Sequence, residues 1–403
     1  MTPPRVLLLT GTLPSESDVG GLILRDLVRL YPPSRLCCCG LLNSVAARPS
    51  VDPGWLPTLA LRAPRGLLAR RRGGLAERAV THARFRIARR LHRPNLVRRV
   101  VAFAREHQVE LVWAVLNQPV TYGVAPAVAD CLNVPLVVTV WDPPDSVCLN
   151  ANLDRFSTAL AVRDFERALG RASRCGVISE AMQREYEARY ECHTVVMRHA
   201  VRADECTRPA RCPNSQGPFT IGFCGSLYAV REFRALLAAL DAAGWQIAGR
   251  PVRLRMVSAA VSGRIGPNAW VEWLGWRPQR EVIRILSESD VNYLPYWFDM
   301  QRRNAVRLCF PSKLTTYLAA GRPVLFHGPD DAAPAELMRR HPIGVCCHSL
   351  AGAGLVAALS QSVSLDLYAR AAEAIERLVA SEFNAANLPG RLAQLLGASE
   401  PDE

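Results

Sequence analysis

Short apolar runs separated by helical patterns dominate the first half of the chain. They are VLLLT after Arg5, LCCCGLL around Cys37, ELVWAV from Glu110, PLVVTV from Pro135 and CGVIS from Cys175. Because these runs are apolar throughout rather than alternating, they predict strands buried on both faces, as in a parallel sheet covered by helices. The first run is only four apolar residues long before a polar loop, so we interpret it as a buried strand and not as a signal peptide.

A second strand–helix series begins after a polar, proline-rich stretch (ADECTRPARCPNSQGP) without periodicity. Its predicted strands are FTIGFC at Phe219, VRLRMV at Val252, a short strand at Val271, DVNYLP at Asp290, PVLFHG at Pro323 and GVCC at Gly344. Helices are predicted at Leu365–Ala380 and Ala385–Leu396. We therefore predict an α/β chain of two Rossmann-like, doubly wound domains. Their ranges are residues 1–200, a linker 201–218, residues 219–384, and a closing helix and tail 385–403.

Length and composition agree with this division. A chain of 403 residues suits two domains of ordinary size, and 49% hydrophobic residues supply material for two cores. No stretch approaches the roughly 18 apolar residues that a membrane span needs. The sequence therefore predicts a globular protein without a transmembrane helix.

The thirteen cysteines are odd in number and scattered. Cys37, Cys38 and Cys39 are adjacent in a predicted strand, and the pair Cys206 and Cys212 has no second pair nearby. The run from Cys346 to His348 is expected to end a buried strand. The pattern favours reduced thiols in a cytoplasm over a disulfide framework or a metal site.

The net charge of +13 is concentrated between Arg62 and Arg105. This segment also contains an apolar series broken by two glycines: Leu67, Leu68, Leu75, Ala79, Ala83, Ile87 and Leu91, with Gly73 and Gly74. An arginine-rich amphipathic helix suits adsorption to an anionic membrane surface, each charge contributing about 1 kcal/mol. A solvated helix face and nucleic-acid binding are the alternatives. No nucleic-acid module accompanies the segment, so no nucleic-acid partner is expected.

Glycines follow the first strand of each predicted domain. Gly20 and Gly21 open a helix after VLLLT, and Gly225 ends FTIGFC, with Arg231 entering the next helix. Such loops let phosphates approach backbone N–H groups at the carboxyl edge of a parallel sheet. Purely steric glycines, and a tight turn beside a solvated arginine, are the alternative interpretations.

Lys313 is the only lysine of the chain. Pro311 and Ser312 are good residues for a helix start, so Lys313 is predicted in the first turn of a helix that ends at Gly321. A cation there is unfavourable against the helix dipole unless an anion is bound. The alternative is the chance survival of one surface lysine in an arginine-rich chain. We favour a phosphate contact, because a compact ammonium and a planar guanidinium are not equivalent.

The segments EWLGWRPQREVIRILSESDVNYLPY and FPSKLTTYLAAGRPVL resemble the donor-binding domain of glycosyltransferases with the GT-B architecture, especially the retaining family 4. IGFCGSLYAVREF is similar to that family's glycine turn. The resemblance implies two Rossmann-like domains facing across a cleft, with the C-terminal helix closing back toward the N-terminal domain. It also implies a retaining hexosyl or related transferase in cell-surface polysaccharide or glycolipid synthesis. The implied donor is a nucleoside diphosphate sugar, without a metal, and the implied acceptor is a glycan or lipid-linked molecule.

The same resemblance assigns site residues by position. Arg231 and Lys313 would neutralise the diphosphate, and Gly20 and Gly21 would cap it. The donor set is completed by residues of the two C-terminal segments: Gly225, Ser226, Pro311, Ser312 and Thr316. Because the leaving group is a diphosphate, its neutralisation is itself catalytic.

Three departures from the family pattern concern the donor site. Thr316 and Leu308 stand where the family has carboxylates, and Ser226 replaces an arginine. The possible substitutes for that arginine are Arg302, Arg303 and Arg307. These departures motivate an alternative hypothesis, a non-catalytic scaffold that binds membranes or a partner enzyme. An epimerase of the same architecture is disfavoured, because no acid/base set accompanies it.

The acceptor side is predicted after the fourth strand, in VTVWDPPDS. Trp141 stands where relatives often carry a histidine, and Asp142 follows it beside the rigid Pro143–Pro144 turn. We predict that Asp142 is a base or acceptor contact and that Trp141 stacks on a sugar. The alternatives are that Asp142 caps the turn and that Trp141 only packs.

Overall fold

A computed structural model describes residues 3–16, 18–43, 51–63, 74–214, 216–258 and 268–397. The chain divides into two compact units. Unit 1 comprises Met1–Met197 together with Leu388–Glu403, and unit 2 comprises Arg198–Asn387. Each unit is built on one sheet with helices, which confirms the predicted α/β class.

The sheet of unit 1 is entirely parallel among the described strands. Its strands are β1 (Val6–Thr10), β2 (Leu36–Leu42), β3 (Thr58–Arg62), β4 (Leu111–Val115), β5 (Leu136–Thr139), β6 (Arg174–Val177) and β7 (Thr194–Val196), in the order β3-β2-β1-β4-β5-β6-β7. The five strands predicted from apolar runs are confirmed. β3 and β7 were not predicted, because an edge strand is short or half-buried and lacks a continuous apolar run.

The helices of unit 1 begin at residues that suit helix starts. They are α1 (Val19–Val28), α2 (Leu75–Ile87), α3 (Arg93–Glu106), α4 (Pro119–Leu132), α5 (Pro144–Asn150), α6 (Arg155–Arg171) and α7 (Glu180–Tyr190). Asp18 caps α1 by accepting a hydrogen bond from the Gly21 backbone N–H at 2.8 Å. The helix that the two glycines open is therefore present where the sequence predicts it.

From Leu75 to Glu106 the basic segment is helical without a break. A π-helical turn, Ala88–His92, joins α2 to α3. Leu67, Leu68 and Gly73 of the predicted apolar series, like Arg70–Arg72, lie outside the described residues. Farther along, Ala79, Ala83, Ile87 and Leu91 are exposed to solvent, whereas Phe85 and Ala88 supply the buried face.

The sheet of unit 2 is parallel except for one short hairpin. Its strands are β8 (Phe219–Cys224), β9 (Gln246–Ile247), β10 (Arg250–Val257), β11 (Val271–Trp273), β12 (Val291–Pro295), β13 (Val324–His327) and β14 (Gly344–Cys347), in the order β11-β10-β8-β12-β13-β14 with β9 antiparallel to β10. All six predicted strands are confirmed. β9 was not predicted, because two residues form too short a pattern.

Helices cover both faces of this second sheet. They are α8 (Val230–Ala242), α9 (Gln279–Ser287), α10 (Arg303–Leu308), α11 (Ser312–Ala319), α12 (Ala333–Arg340), α13 (Gly352–Gln361) and α14 (Leu365–Ala380). One apolar cluster lies under α9, α11, α12 and α14, and another lies under α8 and α13. Two cores on opposite faces of a parallel sheet define a doubly wound unit.

The predicted linker, residues 201–218, packs along unit 2. The Thr207 backbone N–H donates to the Ala319 carbonyl at 2.8 Å, and the Ala210 N–H donates to the Gly321 carbonyl at 3.0 Å. The polar, proline-rich composition thus corresponds to irregular backbone. The N–H groups of this segment donate hydrogen bonds to carbonyl groups at the end of α11.

The last helix, α15 (Leu388–Leu396), belongs to unit 1 and packs against β6 and β7. Its buried side chains include Leu392 and Leu395. The expected return of the C-terminal helix to the first domain is observed. No helix of the described residues is long and apolar enough to span a membrane.

Candidate functional site

The residues predicted to bind phosphate in unit 2 come together at the carboxyl end of β8. Lys313 is the second residue of α11, and its Nζ donates a hydrogen bond of 2.5 Å to the Ser226 carbonyl. Gly225 and Ser226 are exposed, whereas Lys313 is buried. The α11 cation and the glycine turn after β8 therefore form one site.

Aromatic rings surround the ammonium group of Lys313. Nζ lies 4.9 Å from the centroid of the Phe223 ring and 4.8 Å from that of Tyr228. These ring faces attract a cation but satisfy none of its N–H donors. The Tyr228 hydroxyl is itself buried without a hydrogen-bond partner among the described residues. Tyr228 was not predicted from the sequence, although its place between the glycine turn and Arg231 was a usable signal.

The charge of Lys313 is not balanced by a neighbouring carboxylate. No ion pair joins Lys313 to an acidic residue among the described residues, and one of its three N–H donors is used, by Ser226. Burial lowers its pKa to about 8. The neighbouring Cys224 thiol offers no compensating charge at neutral pH, because burial raises its pKa to about 11. A buried cation with spare donors and no counter-ion is suited to receive an anion.

Gly225 is required by the geometry of this turn. Its φ of +74° lies in the left-handed region, and a Cβ added there would lie 3.1 Å from Lys313 Nζ. Glycine therefore allows both the turn and the approach of the lysine. The steric interpretation and the phosphate interpretation are both consistent with this contact.

The helix that carries Lys313 is fixed from several sides. Pro311 precedes α11 as its N-cap residue, and Ser312 is its first residue. The Tyr317 hydroxyl donates to the Tyr293 carbonyl at 2.9 Å and accepts from the Cys224 N–H at 3.3 Å. Since Cys224 ends β8, this tyrosine connects α11 to the strand that leads into the glycine turn.

Thr316 and Leu308 occupy the two positions at which the resembled family has carboxylates. Thr316 is buried, and its hydroxyl accepts a hydrogen bond of 3.1 Å from Gln279 Nε2. Leu308, the last residue of α10, is buried. Gln279, the first residue of α9, was not predicted. Gln279 reaches Thr316, 37 residues away in the sequence, because α9 packs on α11. Such a contact leaves no local pattern in the sequence.

Arg231 lies exposed in the first turn of α8 and makes no hydrogen bond or ion pair with the described residues. The next residue, Glu232, is buried and accepts a hydrogen bond of 2.9 Å from the Phe298 N–H. Of the suggested substitute arginines, Arg303 forms an ion pair of 2.7 Å with Asp331, and the Arg302 guanidinium lies 4.8 Å from the Trp297 ring centroid. Arg231 is therefore the exposed cation that follows the glycine turn.

A second group of predicted residues comes together in unit 1. A Cβ added to Gly20 would lie 3.1 Å from Cζ3 of Trp141, so the ring of the predicted acceptor residue lies against the start of α1. At Gly21 an added Cβ would meet Ser15 Oγ at 2.6 Å and the Leu13 carbonyl at 3.0 Å. Gly21 thus allows close packing of the loop, and Gly20 allows close approach of the tryptophan.

Asp142 is exposed directly after this tryptophan, between β5 and α5. Pro143, not Asp142, is the N-cap residue of α5. Burial is the main cause that raises the pKa of the Tyr122 hydroxyl, and the neighbouring Cys148 and then Asp142 raise it further. The structure therefore gives Asp142 an exposed position beside Trp141, and its catalytic role stays a prediction.

The described residues contain no group of three or more His, Cys, Asp or Glu side chains that could hold a metal ion. The thirteen cysteines are all unpaired.

Comparisons with known proteins establish the fold. No protein-family model matches the chain, and no curated protein matches it by sequence. Solved structures match over nearly the whole chain. HepE of Anabaena, in complex with UDP, is 16% identical, covers 98% of this chain and 99% of its own, and has a TM-score of 0.67.

Two synthases give similar values. A sucrose-phosphate synthase from Thermosynechococcus elongatus is 12% identical, with 97% and 98% coverage and a TM-score of 0.70. An α,α-trehalose 6-phosphate synthase from Burkholderia multivorans is 13% identical, with 98% and 97% coverage and a TM-score of 0.67. The chain therefore has the GT-B fold of two Rossmann-like domains. The resemblance to GT-B proteins noted in the sequence is confirmed at the level of the fold.

Proposed function

We propose that this protein is a glycosyltransferase that moves a sugar from a nucleoside diphosphate sugar to an acceptor. The observation that carries the proposal is the buried ammonium of Lys313, which lies beside the exposed Gly225–Ser226 turn and has no carboxylate partner among the described residues. Burying a cation costs free energy unless an opposite charge is present in the working state. A diphosphate bound at this turn would supply that charge.

The structural neighbours support a sugar nucleotide as the ligand. HepE is described in complex with UDP, and the Escherichia coli trehalose-6-phosphate protein is described bound with UDP-2-fluoro glucose. A Burkholderia xenovorans trehalose-phosphate synthase is described in complex with glucose-6-phosphate. Because fold alone does not determine function, we combine these names with the geometry around Lys313.

In this proposal the donor is held mainly by unit 2. Lys313 and Arg231 neutralise the diphosphate, and the turn at Gly225 and Ser226 offers its backbone to the phosphate oxygens. Pro311 and Ser312 place the start of α11, and Thr316 with Gln279 offers a hydroxyl and an amide to the sugar or ribose. As the bond from the anomeric carbon to the diphosphate breaks, its electrons pass to the diphosphate oxygen, where the two cations stabilise them. We propose that this charge stabilisation requires no metal ion.

The acceptor is assigned to unit 1. Trp141 packs beside Gly20, which suits stacking on a sugar ring, and the exposed Asp142 carboxylate follows it. In the transfer step the acceptor hydroxyl oxygen bonds to the anomeric carbon and its proton passes to a base, for which Asp142 is our candidate.

We further propose a cell-surface polysaccharide or glycolipid as the product, with the enzyme peripheral to the inner face of a membrane. The support is the basic segment Arg62–Arg105, whose described residues from Leu75 onward form α2, the π-helical turn and α3. For the acceptor we propose a glycan or a lipid-linked molecule.

A non-catalytic scaffold is the second candidate. It is favoured by one observation, that Leu308 is buried and Thr316 already accepts a hydrogen bond from Gln279, where relatives in the resembled family carry acidic side chains. If the protein is a scaffold, it should turn over no sugar nucleotide.

A thermal-shift screen tests donor binding first. We expect at least one of the UDP-, GDP-, dTDP- and ADP-sugars to raise the melting temperature. At about 100 times its Kd, a ligand of the folded state adds roughly 2.7 kcal/mol of stability. The corresponding nucleoside monophosphate is the control and should shift the melting temperature less. Equal shifts from the monophosphate, or none from any sugar nucleotide, would contradict the proposed diphosphate site.

Donor affinity should depend on pH through Lys313. Its pKa in the free protein is about 8, and a bound diphosphate would raise that pKa by favouring the charged amine. Affinity is therefore expected to be level well below pH 8, to be about halved at pH 8, and to fall by up to about tenfold per pH unit above it. Calorimetric titrations in two buffers with different ionisation enthalpies should show proton uptake at about pH 8.5. An affinity that stays constant up to about pH 9.5 would contradict a charged Lys313 in the complex.

A further inference from the structure

Exposed apolar side chains line one side of α2 and the π-helical turn after it. Val80, Ile87 and Leu91 are 48%, 53% and 67% exposed. Their spacing of seven and four residues places them along a single helical stripe. We call Val80, Ile87 and Leu91 the apolar stripe.

The opposite side of the same segment is fixed to unit 1, so this exposure is not a consequence of loose packing. Phe85 is buried, and the Arg89 and Arg93 guanidinium groups each donate to the buried carboxylate of Asp164 at 2.5 Å. His82 Nδ1 lies 3.2 Å from Ser157 Oγ. These contacts set the rotation of α2 and hold the apolar stripe toward solvent.

The charge around the apolar stripe is predominantly positive. Residues 75–92 contain Glu77 as their one acidic residue. Arg84, Arg86 and Arg90 are exposed and form no ion pair with the described residues. An apolar line bordered by unpaired arginines matches a surface that combines anionic headgroups with an apolar interior.

We propose that α2 and the π-helical turn form a docking surface for an anionic lipid bilayer. The apolar stripe inserts into the boundary between headgroups and acyl chains, while Arg84, Arg86 and Arg90 contact lipid phosphates. The segment lies on the membrane and does not span it. This inference rests on the peripheral location proposed above but not on sugar transfer.

A second copy of the chain fits this surface less well. A two-fold symmetric contact would place the stripe of one copy on that of the other and would bring both sets of unpaired arginines together. Like charges in a shared interface oppose association. Phosphate-rich headgroups meet the same arginines with opposite charge.

Vesicle flotation of the full chain without donor tests the proposal. Vesicles of phosphatidylcholine with about one third phosphatidylglycerol are compared with pure phosphatidylcholine. One variant combines Val80→Ser, Ile87→Ser and Leu91→Ser, and another combines Arg84→Gln, Arg86→Gln and Arg90→Gln. The control is Leu365→Ser, because Leu365 on α14 is 66% exposed, close to the 67% of Leu91. Melting curves with the best donor of the thermal-shift screen show whether each variant keeps its fold and donor binding.

We expect the wild type and Leu365→Ser to float with anionic vesicles and not with neutral ones. Each arginine near an anionic surface contributes a factor of about five, so the arginine variant should lose roughly 100-fold in partitioning. The serine variant should lose at least about tenfold. Equal flotation of the wild type on neutral vesicles, retained binding by both triple variants, or no binding at all would overturn the proposal. So would a wild-type dimer in light scattering that the serine variant abolishes, since a second copy would then cover the stripe.

Discussion

Replacing Lys313 with methionine is expected to lower the affinity for a nucleoside diphosphate sugar by about 100-fold or more while leaving the melting temperature at neutral pH unchanged or higher. The loss follows because the diphosphate would keep its charge and lose a buried, charge-assisted hydrogen bond. Stability should not fall, because burial of the charged amine destabilises the folded protein at neutral pH. This cost is seen in the pKa of Lys313, which burial lowers from 10.5 to about 8. Titration calorimetry and a melting curve measure the two effects.

The sign of the stability effect follows from linkage. Between about pH 8 and the unfolded value the folded state holds fewer protons than the unfolded state, so the stability that depends on Lys313 rises with pH in that window. Below about pH 8 the full cost of burying the cation is present. Methionine removes that cost and fills similar space.

A substitution at Tyr317, on the same helix as Lys313, serves as a structural control for the loss of donor binding. Tyr317→Phe removes the hydrogen bonds to Tyr293 and Cys224 and should lower the melting temperature while donor affinity is largely kept. If Lys313→Met instead lowers the melting temperature by several degrees and keeps donor binding, Lys313 is a structural residue.

Gly225→Ala is expected to lower both stability and donor affinity. A φ of +74° costs a residue with a Cβ about 1–2 kcal/mol, and that Cβ would lie 3.1 Å from Lys313 Nζ. We expect the melting temperature to fall by roughly 2–8 °C and donor affinity to fall about tenfold as the amine is displaced. The same two measurements apply.

Gly217 provides the matched control for this substitution. Its φ is +75°, and a Cβ added there meets nothing within 4 Å. Gly217→Ala should therefore show the backbone cost alone and leave donor affinity unchanged. Equal donor affinity in Gly225→Ala and Gly217→Ala would contradict the placement of the diphosphate at the glycine turn.

Elements that bury a continuous apolar run were predictable from the sequence. The sequence predicted β1, β2 and β8 because both faces of these strands are buried. Consecutive residues of each strand are therefore apolar, which is visible in the sequence. β3 and β7 lie at the edges of the unit 1 sheet and carry no such run. The local pattern likewise did not show that residues 201–218 pack along unit 2.

The candidate site was predictable only where chemistry is unusual in the sequence. Lys313 was recognisable as the chain's only lysine at a helix start, and Gly225 as a glycine at a strand end. Tyr228 and Gln279 were missed because their roles come from tertiary contacts, one with an ammonium and one across two helices. The sequence also did not show that Lys313 is buried without a carboxylate, the observation on which the proposed function rests.

The most direct test of the central claim is release of nucleoside diphosphate from sugar nucleotides by the purified protein. We predict that the wild type releases the diphosphate from at least one of the UDP-, GDP-, dTDP- and ADP-sugars, and that Lys313→Met, folded and equally stable, does not. No release from any of these donors, or equal release by Lys313→Met, would contradict the account.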